Sequence, residues 1–378
     1  MRNTRICFAT AEYPPHIGGA ARSAQRLVRG LARAGFDVTV FTAPWGDQKT
    51  TVLPETDEGI PLRWVSSDLD VARCTIDQED QVHAFDLFHG FTLQAAFPCL
   101  EPAARGARPV VASIRGADGK AFDQWAEKVL RGASWVTSVS SDSLDRAAAA
   151  VCDLSGRSSV IPNGVDLDAS VAWTPADTNA GVVGTVASFR PKKNIPLLIR
   201  AYARLPREIR RRLLLVGDAV DDNKLCPALR QEIEALLDTT GMRAETEITG
   251  LVAHDTLGAY HSAMRVFALS SDHEGMPNAL LEAAAAGLPI VTTAVDGVKD
   301  IFTPGVDALF TPPGDEEAFA EALSRVLIDR DLAIALSIAA RATASRLSLA
   351  AELDRYASLY RSLIAGQVPA GSEVRRQA

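Results

Sequence analysis

The sequence lacks the features that mark metal centres, disulfide frameworks and membrane spans. Its five cysteines are scattered, without the pair spacings of zinc ligands or redox motifs, which is typical of reduced thiols in a cytoplasmic protein. The six histidines form no HExxH or comparable set, so no metal site is predicted. No apolar run approaches the roughly 20 residues that a membrane-spanning helix needs.

The chain also lacks a basic surplus. Its 39 Lys and Arg are outnumbered by 47 Asp and Glu, so its overall charge provides no attraction for nucleic acid. The N-terminus leads into a short strand and not into the apolar region of a signal peptide. With 47% apolar and 23% charged residues, the 378-residue sequence is typical of a globular enzyme with two domains. We expect a cytoplasmic protein, at most attached to the inner face of a membrane.

Short apolar runs alternate with helical patterns along the whole chain. This alternation predicts parallel sheets that are covered by helices on both faces. The pattern pauses near residues 165–180 and then restarts, which predicts two doubly wound domains at residues 1–168 and 169–345. A final amphipathic helix is predicted near Leu349–Ile364, and the polar tail 366–378 is predicted to be disordered. The clearest predicted strands are Ile6–Ala9, Val38–Phe41, Phe85–His89, Val110–Ile114, Trp135–Val139, Val182–Ala187, Leu213–Val216 and Val266–Leu269.

Two glutamates frame the most informative segment, which runs from Glu274 through Gly275, Met276 and Pro277 to Glu282. Pro277 suits the first position of a helix, which places Glu274 just ahead of the helix and Glu282 about one and a half turns inside it. A helix N-terminus attracts phosphate through its free N–H groups and its dipole. Carboxylates are pure acceptors that suit the paired hydroxyls of a ribose or a sugar ring. The segment therefore predicts a site for a nucleotide sugar.

This segment resembles the Glu-x7-Glu motif of retaining glycosyltransferases, specifically those of family 4. In that family the first glutamate contacts the transferred sugar and the second binds the ribose, roles that the resemblance assigns to Glu274 and Glu282. The resemblance implies the GT-B fold, an α/β fold in which two Rossmann-like doubly wound parallel-sheet domains face a central cleft. It also implies that residues 346–365 form a helix that crosses back to the acceptor-side N-terminal domain, while the C-terminal domain binds the donor.

A basic loop after the strand at Val182–Ala187 resembles the phosphate-binding loop of the family, in which an Arg and a later Lys hold the pyrophosphate. Lys193 matches the Lys, because the helix predicted at Ile195–Ala203 follows it as the family's helix does, but Ser188 occupies the Arg position. Arg190 projects to the same side of an extended chain and is a candidate replacement; the alternative is a solvated loop cation. Gly217 follows the next strand and resembles the turn that lies near the nucleotide base in the family.

Other candidates lie in the first domain. Gly18 and Gly19 resemble the glycine loop that lies near the donor phosphates and acceptor in the family, with an ordinary tight turn as the alternative. Arg115 stands where the family often has His. We expect it to stabilise the leaving group or to bind an anionic sugar or acceptor, unless it forms a structural salt bridge to Asp118 or a neighbour. Asp118 would orient a sugar hydroxyl or cap the next helix.

Arg22 begins a stripe of arginines at helical spacing that continues with Arg26, Arg29 and Arg33, opposite the apolar face of the first helix. A basic amphipathic helix can lie on an anionic membrane, at about 1 kcal/mol per cation. Some family members that glycosylate lipid carriers use such a surface, which assigns Arg22 to the acceptor side. The simpler alternative is a solvated helix face, the usual role of a charge stripe.

The resemblance predicts a retaining, metal-independent hexosyltransferase. It would move a sugar from a nucleotide-sugar donor to a glycan, a lipid-linked or a small-molecule acceptor. No cofactor is expected, because the nucleotide sugar is itself a substrate. Two other hypotheses stay open: a GT-B sugar phosphorylase or epimerase, and a nucleotide-sugar-binding protein without turnover.

Overall fold

The computed structural model describes residues 3–16, 18–44, 53–116, 124–167, 173, 181–221 and 224–369. The chain divides into two compact units. The first comprises Met1–Gly164 together with Leu349–Ala378, and the second comprises Val165–Ser348. The chain therefore leaves the first unit once and returns to it once.

The strands of both units follow the predicted apolar runs closely. Val110–Ile114 and Val266–Leu269 match residue for residue, and the other predicted strands differ by one or two residues at their ends. A short hairpin formed by Thr56–Asp57 and Ile60–Trp64 was not identified from the sequence. The described strands are β1 (Arg5–Thr10), β2 (Asp37–Thr42), β3 (Thr56–Asp57), β4 (Ile60–Trp64), β5 (Leu87–Gly90), β6 (Val110–Ile114), β7 (Trp135–Ser138), β8 (Ser158–Val160), β9 (Val182–Val186), β10 (Arg212–Val216), β11 (Val220–Asp221), β12 (Lys224–Leu225), β13 (Thr246–Ile248), β14 (Val266–Leu269), β15 (Ile290–Thr293) and β16 (Leu309–Thr311).

Helices connect most of these strands. The predicted helices Ile195–Ala203 and Leu349–Ile364 have the bounds that the structure shows. No helix in the described part of the chain is both long enough and apolar enough to cross a membrane. The described α-helices are α1 (Gly19–Arg33), α2 (Leu69–His83), α3 (Leu93–Ala96), α4 (Leu100–Arg105), α5 (Gln124–Gly132), α6 (Ser141–Ala150), α7 (Ile195–Ala203), α8 (Pro227–Thr239), α9 (Leu257–Ala263), α10 (Asn278–Ala285), α11 (Asp296–Lys299), α12 (Glu316–Ile328), α13 (Arg330–Arg346) and α14 (Leu349–Ile364).

The first unit is built on a sheet with the strand order β3-β4-β2-β1-β5-β6-β7-β8. Its strand pairs are parallel except for the β3–β4 hairpin. On β1, Ile6 and Phe8 enter one core, with residues of α1 and α14, whereas Cys7 and Ala9 enter a second core, with residues of α2 and α5. This alternation is the strand period of two, and burial on both faces explains why the strands read as continuous apolar runs.

The last helix, α14, completes one face of this first sheet. Tyr356, Ala357, Leu359 and Tyr360 join the same core cluster as the apolar face of α1. All four side chains are buried, so α14 contributes its apolar face to the first unit although its sequence follows the second.

The second unit is a parallel sheet in the order β13-β10-β9-β14-β15-β16. From β9 the chain continues outward through β10 to β13, and from β14 it continues through β15 to β16 in the opposite direction. The direction therefore reverses at the neighbouring pair β9 and β14. In doubly wound sheets, ligands bind beyond the carboxyl ends of the strands at such a reversal. The loops after β9 and β14 are thus the ones that the topology selects for a site in this unit.

Candidate functional site

Lys193 and Glu274 meet at the topological reversal of the second unit. Lys193 belongs to the loop after β9 and Glu274 to the loop after β14, so they are 81 residues apart in sequence. The Lys193 ammonium contacts Oε1 of Glu274, and Ser271 Oγ donates to the same oxygen at 2.6 Å. The Glu274 side chain is only 7% exposed, which strengthens its attraction to the cation relative to a surface pair.

The two loops are also joined outside this ion pair. Ser270 Oγ donates to the carbonyl oxygen of Lys193 at 3.0 Å, and Asn194 Nδ2 donates to Asp272 Oδ1 at 2.8 Å. The Asp272 N–H donates to the carbonyl oxygen of Lys192 at 2.8 Å. The basic loop and the acidic loop therefore form one hydrogen-bonded unit, and the separation of Lys193 from Glu274 is set by the backbone as well as by their charges.

Helix α10 carries the second glutamate. Pro277 is the residue that caps α10, and the helix begins at Asn278, one residue later than the sequence predicted. Met276 is buried ahead of the cap. A Cβ on Gly297 would lie 2.0 Å from the carbonyl oxygen of Gly275, so only glycine lets α11 pack against this turn.

Glu282 is paired with a histidine that the sequence analysis missed. His254 Nε2 lies 3.1 Å from Glu282 Oε1, and the Glu282 side chain is 16% exposed against 42% for His254. His261 is buried beside the edge of Phe267. Burial lowers the pKa of His261, and the charge of Glu282 offsets part of that effect. No motif signals these contacts, because they join a loop and a helix to a residue far along the chain.

The turn at Gly217 packs against the basic loop. Gly217 has φ +137°, and a Cβ there would lie 1.8 Å from the carbonyl oxygen of Ala187. The Phe189 N–H donates to the carbonyl oxygen of Asp218 at 2.8 Å, which links the same two segments. Glycine is therefore required for this close approach, as expected where backbone presses on backbone. The structure places Gly217 beside the predicted phosphate loop.

Ser188 and Arg190 lie on that loop, where the Arg190 N–H donates to the carbonyl oxygen of Ser188 at 2.7 Å. Nε of Arg190 is buried and has no hydrogen-bond partner among the described residues. Buried donors are usually paired, so an unpaired guanidinium nitrogen on the same loop as Lys193 is suited to an incoming anion.

The glycine loop of the first unit leads directly into α1. Gly18 has φ +153° and precedes the helix, which begins at Gly19. Because Gly18 has no side chain, it provides no side-chain cap for the first turn of the helix. Arg22, one turn further along, is exposed and donates through Nη1 to Gln25 Oε1 at 3.2 Å.

The arginine stripe of α1 is less available to an anionic surface than the sequence suggests, because part of it is paired within the protein. Arg29 donates to both carboxylate oxygens of Asp57, at 2.5 and 3.0 Å, and also pairs with Glu58 at 2.9 Å. Arg33 pairs with Glu58 at 3.0 Å. Burial would raise the pKa of Asp57, but hydrogen bonds from Arg29 and Tyr13 outweigh it and hold that pKa below its usual value. The β3–β4 hairpin thus neutralises part of the cationic face that the sequence presented as a solvated or membrane-facing stripe.

Arg115 follows β6 and is held inside the first unit. Its Nη2 donates to Asn163 Oδ1 at 2.6 Å, and its guanidinium carbon lies 3.8 Å from the centre of the Phe91 ring. Its Nη1 is buried without a hydrogen-bond partner among the described residues. Glu352 of α14 is buried nearby, and burial raises its pKa although Arg115 counteracts that effect. Asp118 lies outside the described residues.

The described residues contain no cluster of three His, Cys, Asp or Glu side chains that could hold a metal ion. Of the predicted site residues, the structure brings Lys193 and Glu274 into contact. It places Ser188, Arg190 and Gly217 along the adjoining loop and turn, and Glu282 on the helix that follows. Gly18, Gly19, Arg22 and Arg115 belong to the first unit.

Two family descriptions match the sequence in succession. "Glycosyltransferase Family 4" matches residues 17–169, and "Glycosyl transferases group 1" matches residues 171–343. A lipopolysaccharide core biosynthesis glycosyltransferase of Rhizobium meliloti (strain 1021), LpsE, is 32% identical over 44% of this chain and 45% of its own length. The chain likewise spans only 29% and 50% of two other curated relatives.

Matches over most of the chain are more distant. A GDP-mannose-dependent phosphatidylinositol monomannoside mannosyltransferase of Mycobacterium tuberculosis is 27% identical over 89% of this chain and 93% of its own length. The crystal structure of Anabaena HepE with UDP and glucose superposes with a TM-score of 0.80 at 22% identity, covering 95% of this chain and all of that one. A sucrose-phosphate synthase of Thermosynechococcus elongatus superposes with a TM-score of 0.82 at 21% identity, covering 97% of this chain and 100% of that one. The successive family matches and the two Rossmann-like sheets identify the chain as a member of the family 4-like glycosyltransferases with the GT-B fold.

Proposed function

We propose that this chain is a retaining, metal-independent glycosyltransferase that transfers a sugar from a nucleotide-sugar donor to a glycan, lipid-linked or small-molecule acceptor. One observation carries the proposal: Lys193 and the nearly buried Glu274 are in contact at the topological reversal of the second sheet. A cation for a diphosphate and an acceptor for sugar hydroxyls are thus adjacent where such sheets bind ligands.

Four charged side chains of the second unit have roles in this proposal. Lys193 binds the diphosphate, and Arg190 takes the place of the arginine that Ser188 replaces, since its buried Nε has no hydrogen-bond partner among the described residues. Glu274 accepts a hydroxyl of the transferred sugar. Glu282, held by His254, accepts the ribose hydroxyls. The backbone N–H groups of Gly275 and Met276, just ahead of α10, would face the same anionic ligand, whereas Pro277 has no N–H to donate.

The reaction breaks the bond between the anomeric carbon and the diphosphate oxygen, and the electron pair leaves with the diphosphate. The acceptor oxygen forms its bond on the same face of the sugar, and its proton passes to a departing phosphate oxygen. Lys193 and Arg190 stabilise the negative charge that grows on the diphosphate, which is the electrostatic form of catalysis. No side chain has to act as a base, which suits a chain with Arg115 where relatives often have His.

Residues of the first unit are assigned to the acceptor. Gly18 and Gly19 allow close approach of backbone to a ligand, and Arg22 supplies an exposed cation beside them. Arg115 would contact an anionic group of the sugar or acceptor through the nitrogen that has no partner among the described residues. Similar proteins support sugar nucleotides as donors, because HepE was crystallised with UDP-glucose and the mycobacterial relative is GDP-mannose-dependent.

The proposal is tested first by binding and then by transfer. A thermal-shift screen against UDP-, GDP- and ADP-sugars should identify a donor that raises the melting temperature, because a ligand selective for the folded state stabilises it. Incubation of that donor with lipid-linked, glycan and small-molecule acceptors should give a product whose anomeric configuration, read by NMR, equals that of the donor. An inverted product would refute retention. Binding without transfer would instead favour a non-catalytic protein, and release of sugar phosphate on addition of inorganic phosphate would favour a phosphorylase.

A further inference from the structure

The carboxylate of Glu274 uses its two oxygens unequally. Both of its hydrogen bonds within the described residues end on Oε1, one from Lys193 and one from Ser271 Oγ. Oε2 receives no hydrogen bond from any described residue. A carboxylate can accept about four hydrogen bonds, two on each oxygen. The arrangement therefore fills one oxygen with donors from the protein and leaves the other for a ligand.

Ser271 is the more permanent of the two donors. It is completely buried, and its hydroxyl has a single hydrogen to donate, which goes to Glu274. Its own backbone is fixed, because Thr293 Oγ1 donates to the Ser271 carbonyl oxygen at 2.5 Å and Thr293 is also completely buried. Lys193, in contrast, has a flexible stem and three donors that a diphosphate can attract.

We infer that Ser271 is a positioning residue that holds Oε1 of Glu274 and thereby turns Oε2 toward a hydroxyl of the donor sugar. The inference rests on the proposed function, since it assigns Glu274 to the sugar. When a diphosphate binds, Lys193 divides its donors between that anion and Glu274. Ser271 is then the contact that keeps the carboxylate in its orientation, and its effect is felt by the sugar part of the donor and not by the nucleotide part.

A neighbouring serine provides a matched control. Ser270 is also buried, and its hydroxyl also donates within this pair of loops, but to the backbone carbonyl of Lys193 at 3.0 Å. Ser270→Ala and Ser271→Ala thus remove the same atom from adjacent buried positions. They differ in whether the lost hydrogen bond ended on Glu274.

The test measures, by calorimetry, the affinity of each variant for the selected nucleotide sugar and for the matching nucleoside diphosphate (UDP, GDP or ADP). Ser271→Ala should weaken binding of the nucleotide sugar about tenfold and leave the diphosphate affinity within about twofold, because a hydrogen bond to a charged group is lost. Its kcat should fall by a similar or larger factor. Ser270→Ala should change both affinities by the same factor, whatever its effect on melting temperature.

A double-mutant cycle checks whether Ser271 acts on the donor sugar through Glu274. In a Glu274→Ala background, Ser271→Ala should no longer change the ratio of the two affinities. An unchanged ratio in Ser271→Ala alone, an equal change in Ser270→Ala, or a change that persists without Glu274 would each overturn the inference. Failure of the wild-type protein to bind any sugar nucleotide would remove the proposed function itself and the inference with it, an outcome distinct from those three.

Discussion

A buried polar network around His89 in the first unit contrasts with the polar loops around Lys193 and Glu274 in the second. In the first unit, both ring nitrogens of His89 form hydrogen bonds. Nδ1 is bonded to the Tyr360 hydroxyl, and Nε2 is bonded to Ser113 Oγ at 2.8 Å. Ser113 continues the chain of contacts to Thr137 at 2.6 Å. All four side chains are buried where α14, which carries Tyr360, packs on the sheet, and within the described residues they use one another's hydrogen-bonding groups.

In the second unit, the polar side chains of the loops after β9 and β14 keep capacity for a ligand. Oε2 of Glu274 and Nε of Arg190 have no hydrogen-bond partner among the described residues. A closed network specifies how a helix packs on a sheet, whereas an incomplete network at a topological reversal has capacity for a ligand. The comparison predicts that substitutions in the first network change the free energy of unfolding, while substitutions in the second change binding and turnover.

Lys193→Ala should give the largest effect on activity. It removes a cation from the developing charge of the diphosphate, and we expect kcat/KM to fall about 10²- to 10³-fold, the usual consequence of losing one such donor. Lys192→Ala is the matched control, because Lys192 is the exposed neighbour on the same short turn. Initial rates with the selected donor would measure both variants. Equal losses for the two lysines would show that the loop acts through overall charge and not through Lys193.

Glu282→Ala should weaken donor binding by about 1.5–3 kcal/mol, or roughly 10- to 150-fold, because a charged acceptor for the ribose is lost. Calorimetry with the ribonucleoside diphosphate and with its 2′-deoxy analogue would localise the effect. The variant should lose most of the preference for ribose that the wild-type protein shows. His254→Gln keeps a donor for Glu282 and should retain that preference. Unchanged affinity of Glu282→Ala for the ribonucleotide would show that Glu282 does not bind the ribose.

Tyr360→Phe should lower the free energy of unfolding by about 1–3 kcal/mol, because it leaves a nitrogen of the buried His89 without its partner. Tyr356→Phe is the control on the same helix. Its hydroxyl lies 3.5 Å from Thr137 Oγ1, a longer contact, so the cost should be smaller. Urea denaturation followed by circular dichroism would compare them. Equal costs, or a loss of donor affinity in Tyr360→Phe, would contradict the division between a structural and a ligand-binding network.

Much of the second unit was predictable because its signals are local. Pro277 next to an apolar helix indicated the start of α10 to within one residue, and the positions of Glu274 and Glu282 on either side of that start followed. Lys193 was identified from the resemblance of its loop to the phosphate-binding loop of the family, and the helix after that loop has the predicted bounds. What the sequence could not supply was the strand order, and only that order brings the loops after β9 and β14 together.

The contacts that sequence analysis missed join residues far apart in the chain. His254 reaches Glu282 across 28 residues, and His89 reaches Tyr360 across 271. Arg29 reads as part of a solvated stripe because its partner, Asp57, lies on a two-residue strand with no apolar pattern to announce it. A serine such as Ser271 is common in loops, and its role follows only from the position of its hydroxyl beside Glu274. Periodicity detects elements, but it carries no information on which elements pack together.

The smallest expected effect is a pH dependence of stability that originates in the first unit. Burial, assisted by the charge of Arg115, lowers the pKa of His89 to about 3 in the folded protein. In the unfolded chain the same ring has a pKa near 6.5, so below that pH the unfolded state takes up a proton that the folded state does not. Stability supplied by His89 is therefore present above pH of about 6.5 and is lost as the pH falls toward 3.

Comparison with His89→Gln isolates the contribution of His89 to the pH dependence of stability, because glutamine keeps a donor and an acceptor but does not titrate. Other titrating groups are common to both proteins and cancel in the difference. Relative to the variant, the wild-type free energy of unfolding should drop by about 1.4 kcal/mol between pH 7.5 and pH 5.5. Urea titrations at the two pH values measure it. A constant difference would mean that His89 gains a proton without unfolding, and the network beneath α14 would then be open to water and no longer the closed counterpart of the Lys193 and Glu274 site.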